Sequence, residues 1–197
     1  MNVSTRILTD KDLEDALPAL AHLRISVFSA YPYLYAGTSE YELDYLRTFA
    51  KARDAVIVAA IAQDKSIVGC ATGSAISDHH EGFAKPLEDA GIDLASTFYF
   101  GESVLLPEWR GNGIGHRFFD AREQHARAGK YKRACFCAVS RLDTHPQRPV
   151  NYTPLDNFWH GRGYVMNPEI SASFEWPETP EGPSLPHLMR FWFKDLA

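Results

Sequence analysis

Val104-Leu105-Leu106-Pro107-Glu108-Trp109-Arg110-Gly111-Asn112-Gly113-Ile114-Gly115 is the stretch that decides how this chain is read. The apolar run from Thr97 to Leu106 predicts a buried strand, and the pattern from Gly113 to Ala128 predicts a helix. Between them lies a glycine-rich turn. Glycine reaches positive φ and lets a backbone approach a ligand closely. The first amides of a helix lack an intrahelical acceptor and point along the positive end of its dipole. A strand, such a turn and a helix start together make a cradle for an anion such as a pyrophosphate. Arg110 adds a positive charge at the rim.

Two other phosphate motifs are excluded. No G-x-x-x-x-G-K-[ST] string occurs, and the dinucleotide fingerprint G-x-G-x-x-G would need a glycine where His116 stands. Tight packing at a helix start is the bland alternative.

Upstream of the turn, Val3 to Leu8 predicts a first strand. Asp10 is expected to cap a helix carrying Leu13, Leu17 and Leu20, which Pro18 should kink or divide. An aromatic loop follows from Tyr31 to Gly37, and Ser39 is expected to cap a second helix with Leu43, Leu46 and Phe49. Ala55 to Ala62 and Ser66 to Ile76, joined at Asp64-Lys65, predict an antiparallel hairpin. Asp78 to Ser96 is a polar insertion with a short helix near Leu87. On the helix after the glycines, Ile114, Phe118, Ala121 and Ala128 share one face, while Arg117, Arg122, Glu123 and Arg127 are placed elsewhere.

Downstream, Arg133 to Val139 predicts another buried strand. A proline-bearing loop runs from Arg141 to Asp156, and a short helix follows from Asp156 to Gly161. Met166 to Leu188, with five prolines, is expected as an extended loop, and Arg190 to Leu196 as an edge strand closing the sheet.

At 197 residues the chain is expected to form one domain over residues 1–197, large enough to bury a core without staples. Lys and Arg number 20 against 25 Asp and Glu, a net charge of −5 that argues against nucleic acid as the main partner. The longest apolar run is far too short to span a bilayer, and residues 1–6 hold no apolar signal-peptide core. Cys70, Cys135 and Cys137, odd in number and without C-x-x-C spacing, argue for a reducing cytoplasm rather than a disulfide framework. His116 and His125 are not at i, i+4 spacing, and the adjacent His79 and His80 cannot share a strand face. No metal site is therefore expected.

The glycine segment resembles the acyl-CoA-binding motif of the GNAT superfamily of N-acetyltransferases, R/Q-x-x-G-x-G/A, with Arg110, Gly113 and Gly115 at its fixed positions. Leu-Leu-Pro-Glu-Trp before it and Gly111 within it look like the family's lead-in. Phe158-Trp159-His160-Gly161-Arg162-Gly163-Tyr164 is similar to the family's helix-to-strand segment, L-Y-x-K-x-G-F. The resemblance implies an α+β fold: a mixed, mostly antiparallel sheet with splayed central strands flanked by helices. It implies that acetyl-CoA lies in a wedge between Thr97–Leu106 and Arg133–Val139. Backbone groups of Leu105 and Leu106 would meet the pantetheine arm, and amides of Gly111, Asn112, Gly113, Ile114, Gly115 and His116 the pyrophosphate. It further implies direct transfer of acetyl to an amine, with no covalent enzyme intermediate.

Such a transfer needs a base for the amine, a donor for the tetrahedral oxyanion (a backbone N–H near Leu105) and an acid for the leaving thiolate. Glu102, a carboxylate within an apolar strand, is the candidate base. Strict alternation sends it to the far face unless a bulge near Gly101 intervenes. Trp159 stands where the family's acid tyrosine usually falls, and an indole cannot fill that role. Tyr152 is the first substitute, with Tyr99 and Tyr164 behind it, and His145 is a candidate shuttle. Cys135 and Cys137 alternate with Phe136 on a buried strand and are expected to pack. The acceptor pocket is expected from the Tyr31–Tyr35 loop, the Asp78–Ser96 insertion and the Arg141–Asp156 loop. There, Arg141, Asp143 and Arg148 either read a charged substrate or keep the loop soluble. The expected acceptor is a primary amine on a small molecule, and a homodimer is compatible with the sequence. Two rival readings are a non-catalytic acyl-CoA-binding module and an enzyme using the turn for another diphosphate.

Overall fold

The computed structural model describes residues 2–78 and 81–196; His79 and His80 lie outside them. The elements in chain order are β1 (Val3–Ile7), α1 (Asp10–Phe28), α2 (Ser39–Phe49), β2 (Val56–Ala62), β3 (Ile67–Ala75), α3 (Glu81–Asp89), β4 (Thr97–Leu105), α4 (Ile114–Ala128), β5 (Arg133–Val139), α5 (Asp156–Gly161), β6 (Val165–Pro177) and β7 (Ser184–Asp195).

The strands form one seven-stranded sheet in the order β1-β2-β3-β4-β5-β7-β6. Every neighbouring pair is antiparallel except β4 with β5. β2 and β3 are buried along nearly their whole length, since helices cover both faces of the sheet there. On one face, α1 and α2 set Leu17, Leu20, Leu46 and Phe49 against Ile57, Ala59, Cys70 and Val104. On the other, α4 sets Ile114, Phe118 and Phe119 against Val58, Ala60, Phe98 and Phe100. Burying each such Leu or Phe stabilises the fold by about 1.5–3 kcal/mol.

The helix starts differ by one residue from expectation. Thr9 precedes α1 in extended conformation, and Thr38 rather than Ser39 caps α2, its hydroxyl accepting from the Tyr41 N–H at 3.3 Å. α1 is not divided at Pro18. The proline faces solvent, so the carbonyl it leaves without a donor lies on the wet side of the helix.

Two corrections concern the C-terminal third. Residues 166–188 are not a loop but most of the β6–β7 hairpin. Its prolines fall where a ladder tolerates them. Pro168 lies in the register shift between Met166 and Ser171, on the edge strand. Pro186 lies beyond Met189, the last β7 residue that β5 pairs. Consequently the segment from Arg190 is an interior strand, between β5 and β6, and not the sheet edge.

Candidate active site

β4 and β5 pair only through Thr97↔Arg133, Phe98↔Ala134 and Tyr99↔Cys135. Beyond Tyr99, β4 continues along β3 to Leu105, while β5 follows β7 to Val139↔Met189. The two central strands thus part and leave a wedge between them.

The glycine turn follows β4 at the open end of the wedge. Gly111 (φ +77°) and Gly113 (φ +74°) are left-handed, and Gly113 caps α4. The Asn112 side-chain amide donates to the carbonyls of Trp109 and Arg110, holding the turn shut. Arg117 is the first α4 amide with a backbone acceptor, Gly113 O at 3.2 Å. Among the described residues, no backbone carbonyl accepts from the amides of Gly111 to His116. Gly115 eases a close approach: a Cβ there would stand 3.3 Å from the Phe158 ring of α5, tighter than an ordinary contact. The Ile114 side chain is buried in the core, so only its amide faces the turn.

Leu105 and Leu106 differ. The Leu106 N–H donates to Val68 O and its carbonyl accepts from the Trp109 N–H, each at 3.0 Å, so its backbone is committed to the sheet and the following turn. Alternation along the strand then directs the Leu105 N–H into the wedge. The Leu105 carbonyl accepts from Nε of Arg110 at 3.2 Å.

Glu102 reaches the α1–α2 side through a β-bulge. The register passes from Ala71↔Ser103 to Gly73↔Phe100, so Gly101 and Glu102 together face Thr72. Glu102 is 8% exposed, with Oε1 2.5 Å from Nη1 of Arg24. The Tyr45 hydroxyl donates to Oε2 at 3.2 Å. Nε of Arg24 donates to Glu42, whose side chain is fully buried. Burial alone would pull the Arg24 guanidinium down, but Glu102, Tyr45 and Glu42 outweigh it and hold the group above its ordinary range. The Tyr45 phenol is pushed up, first by burial and then by Glu102.

The sequence reading missed Arg24 and Glu42. The signal was present: Arg24 follows Leu20 by four residues and Glu42 precedes Leu46 by four, so both sit on apolar stripes. It also misplaced Arg122 and Glu123, which are 1% and 7% exposed on the buried side of α4. Arg122 lies between the rings of Phe100 and Phe119, 4.2 and 4.9 Å from their centroids. Glu123 receives Arg162, Lys194 and the Tyr164 hydroxyl, tying α4 to α5 and to the β6–β7 layer.

The proposed proton donors separate. Tyr164 is fully buried among Phe100, Phe119 and Phe136 on the α4 side and bonds Glu123, away from the wedge mouth. Tyr99, at the point where the strands part, shares a hydrogen bond with Cys137 Sγ at 3.2 Å. Tyr152 is half-buried, edge-on to Tyr31 at 4.7 Å and under Arg148. Burial, then Tyr31 and Asp156, push its phenol up. Trp159 packs on Phe136 and Trp192. His145 lies beside Tyr31, its Nδ1 accepting from the Gln147 N–H.

The three segments expected around the acceptor converge on this face. Arg141 donates to the carbonyls of Pro32 and Tyr33 and pairs with Glu178 at 2.6 Å; Arg148 pairs with Asp143 at 3.1 Å. From the insertion, Phe83 packs on Tyr99 and Phe174. Tyr33, also missed as a single residue, is buried enough that its phenol is pushed up, with Cys137, Glu102 and Tyr152 adding to the effect.

Cys70, Cys135 and Cys137 are free and buried. Burial pushes all three thiols up, Cys137 to about 12. Among the described residues, no group of three or more His, Cys, Asp or Glu is placed to hold a metal ion, and no helix is long and apolar enough to cross a membrane.

Comparison with known proteins agrees with this geometry. No curated protein matches the chain. Solved structures superpose over nearly its whole length at low identity. An N-acetyltransferase from Staphylococcus aureus Mu50 is 14% identical with a TM-score of 0.62, covering 100% of each chain. A ribosomal-protein-alanine N-acetyltransferase from Brucella melitensis is 15% identical with a TM-score of 0.61, covering 98% of this chain and 99% of that one. The yncA protein from Salmonella typhimurium, solved with its cofactor acetyl-CoA, is 11% identical with a TM-score of 0.57, covering 99% and 94%. These likenesses concern the fold. The acetyltransferase (GNAT) family itself matches residues 20–147, a span that contains the bulge, the wedge strands and the glycine turn. With its mixed sheet parted between β4 and β5, the chain belongs to the acetyltransferase (GNAT) family.

Proposed function

We infer that the protein moves acetyl from acetyl-CoA directly to a primary amine of a small molecule. The observation that carries this reading is the row of main-chain amides from Gly111 to His116, without backbone acceptors among the described residues and set at the mouth of the wedge. A diphosphate carries two negative charges and several acceptors, which such a helix start suits. Arg110 stands beside them. The Leu105 N–H, directed into the wedge, meets the pantetheine arm or the developing oxyanion.

Glu102 takes the proton from the acceptor amine, directly or through one water. Arg24 and Tyr45 hold it in place on the α1–α2 side. Tyr152, whose raised phenol keeps its proton at neutral pH, serves the leaving thiolate. Direct transfer fits the cysteines, since their buried and raised thiols are poor nucleophiles.

Arg141 and Arg148 are already paired, so they shape the acceptor wall rather than stand ready for a substrate carboxylate. A screen of primary amines with acetyl-CoA and thiol detection tests the reading. Release of free CoA with a subset of small amines is expected. Tight acetyl-CoA binding with no release across the screen would favour the non-catalytic module, a reading that Trp159 in the usual tyrosine position keeps in view.

A further inference from the structure

The β4 bulge leaves backbone groups without ladder partners in a fully buried place. Thr72 is the single β3 residue opposite Gly101 and Glu102. Its hydroxyl accepts from the Glu102 N–H at 3.2 Å. The carbonyls of Thr72 and Glu102 both accept from one nitrogen, Nη1 of Arg122, at 3.1 and 3.0 Å. Nη2 of the same guanidinium donates to Ser103 Oγ at 2.7 Å, and Nε donates to Phe118 O at 3.2 Å. One side chain of α4 therefore grips both strands of the bulge and the residue that follows it.

We propose that Arg122 is the positioning residue of the transfer site: it holds the bulge open, and the bulge turns Glu102 out of the α4 face and onto Arg24. The inference rests on the reading of Glu102 as the base. Phe100, Ser103 and Leu105 face α4, while Gly101, Glu102 and Val104 face α1 and α2. Two consecutive residues on one face require the bulge. A regular register would send Glu102 to the α4 side, because a one-residue slip moves a side chain across the sheet.

Burying a guanidinium 1% exposed is costly unless each of its nitrogens finds an acceptor. Here the hydrogen bonds go to three carbonyls and one hydroxyl, and burial pulls the group down to about 10, leaving it charged at neutral pH. A leucine at this point of the α4 stripe would fill the space between Phe100 and Phe119. It would leave the Thr72 and Glu102 carbonyls without donors. Restoring the regular ladder is the simplest relief.

The test uses the full chain with Arg122→Met and Arg122→Lys, each alone and combined with Glu102→Gln, and the best amine from the screen. Lysine keeps a charge for the fold but cannot span both carbonyls and Ser103. For the single variants we expect turnover about 30- to 100-fold lower, with the acetyl-CoA KM within about threefold. In the Glu102→Gln background the same changes should alter turnover less than about twofold, because the residue acted upon is already disabled. A crystal structure of Arg122→Lys should show Glu102 detached from Arg24. Multiplicative losses in the double variants, or Glu102 still seated on Arg24 in that structure, overturn the proposal. If Glu102→Gln alone leaves turnover unchanged, the base reading fails. The Arg122→Lys structure then decides the placement alone: Glu102 displaced upholds it, and Glu102 in place defeats it.

Discussion

Oε1 of Glu102 lies 2.5 Å from Nη1 of Arg24, and both side chains are less than a tenth exposed. Arg24 also holds Glu42, so one cation is shared between two buried carboxylates on the helix side of the sheet. Removing the cation would strand both. Arg24→Met should lower unfolding stability by about 3–5 kcal/mol, whereas exposed pairs such as Lys85–Asp89 contribute under about 1 kcal/mol. Urea unfolding of Arg24→Met and Lys85→Met, compared with the parent, checks the contrast; equal losses would contradict it.

Glu102→Gln keeps the shape and loses the basicity. Turnover should fall about 100-fold or more while the acetyl-CoA KM moves by less than about twofold. Tyr152→Phe should lower turnover about tenfold, most strongly for acceptors whose reaction is limited by thiolate departure. Steady-state kinetics on one amine separates these effects. A Glu102→Gln enzyme with parental turnover moves the base elsewhere.

At Gly113 a Cβ would meet nothing within 4 Å, so space is not what demands glycine there. The φ of +74° is, at about 1–2 kcal/mol for an L-residue. Gly113→Ala should therefore cost a few degrees of Tm and only a modest part of coenzyme affinity. Gly113→Asp adds a negative charge at the proposed diphosphate site and should weaken acetyl-CoA binding by about 100-fold or more. Calorimetric titration of both folded variants checks the order. Equal affinity in the two would show that no anion is bound at this turn.

His187 supplies a pH-dependent part of the stability. It is 5% exposed, stacks on Trp176 at 3.8 Å, and donates from Nε2 to the Trp176 carbonyl. Burial holds it below the ordinary histidine value, aided by Arg141 and opposed by the Trp176 bond and Glu178. The unfolded chain therefore takes up a proton first as pH falls through about 6.5, and stability drops with acidity in that window. The Tm difference between parent and His187→Gln should shrink from pH 7.5 to 5. A constant difference would mean that His187 titrates alike in both states.

The legible parts of the chain were those written in local order. Strand, glycines and helix follow one another from Thr97 to Ala128, and Gly101 marked the place where a bulge could turn Glu102. Charges on apolar stripes were the blind spot. Arg24, Glu42, Arg122 and Glu123 are polar by composition and buried by position, because each finds its partner on another element. Hydropathy alone places them outside, and only tertiary pairing brings them in. The β6–β7 hairpin was hidden for a different reason. Its prolines read as loop, although an edge strand, a register shift and an overhanging strand end each tolerate one. The alternation of buried Ile170 and Ala172 with exposed Ser171 and Ser173 carried the strand signal.

The proposed function stands on main-chain amides gripping a diphosphate. A crystal structure of the acetyl-CoA complex measures it most directly. The diphosphate oxygens should lie within hydrogen-bonding distance of amides between Gly111 and His116, with the pantetheine arm along β4 beside Leu105. Coenzyme bound elsewhere, with those amides turned to protein or water, would show that the turn does not hold the diphosphate.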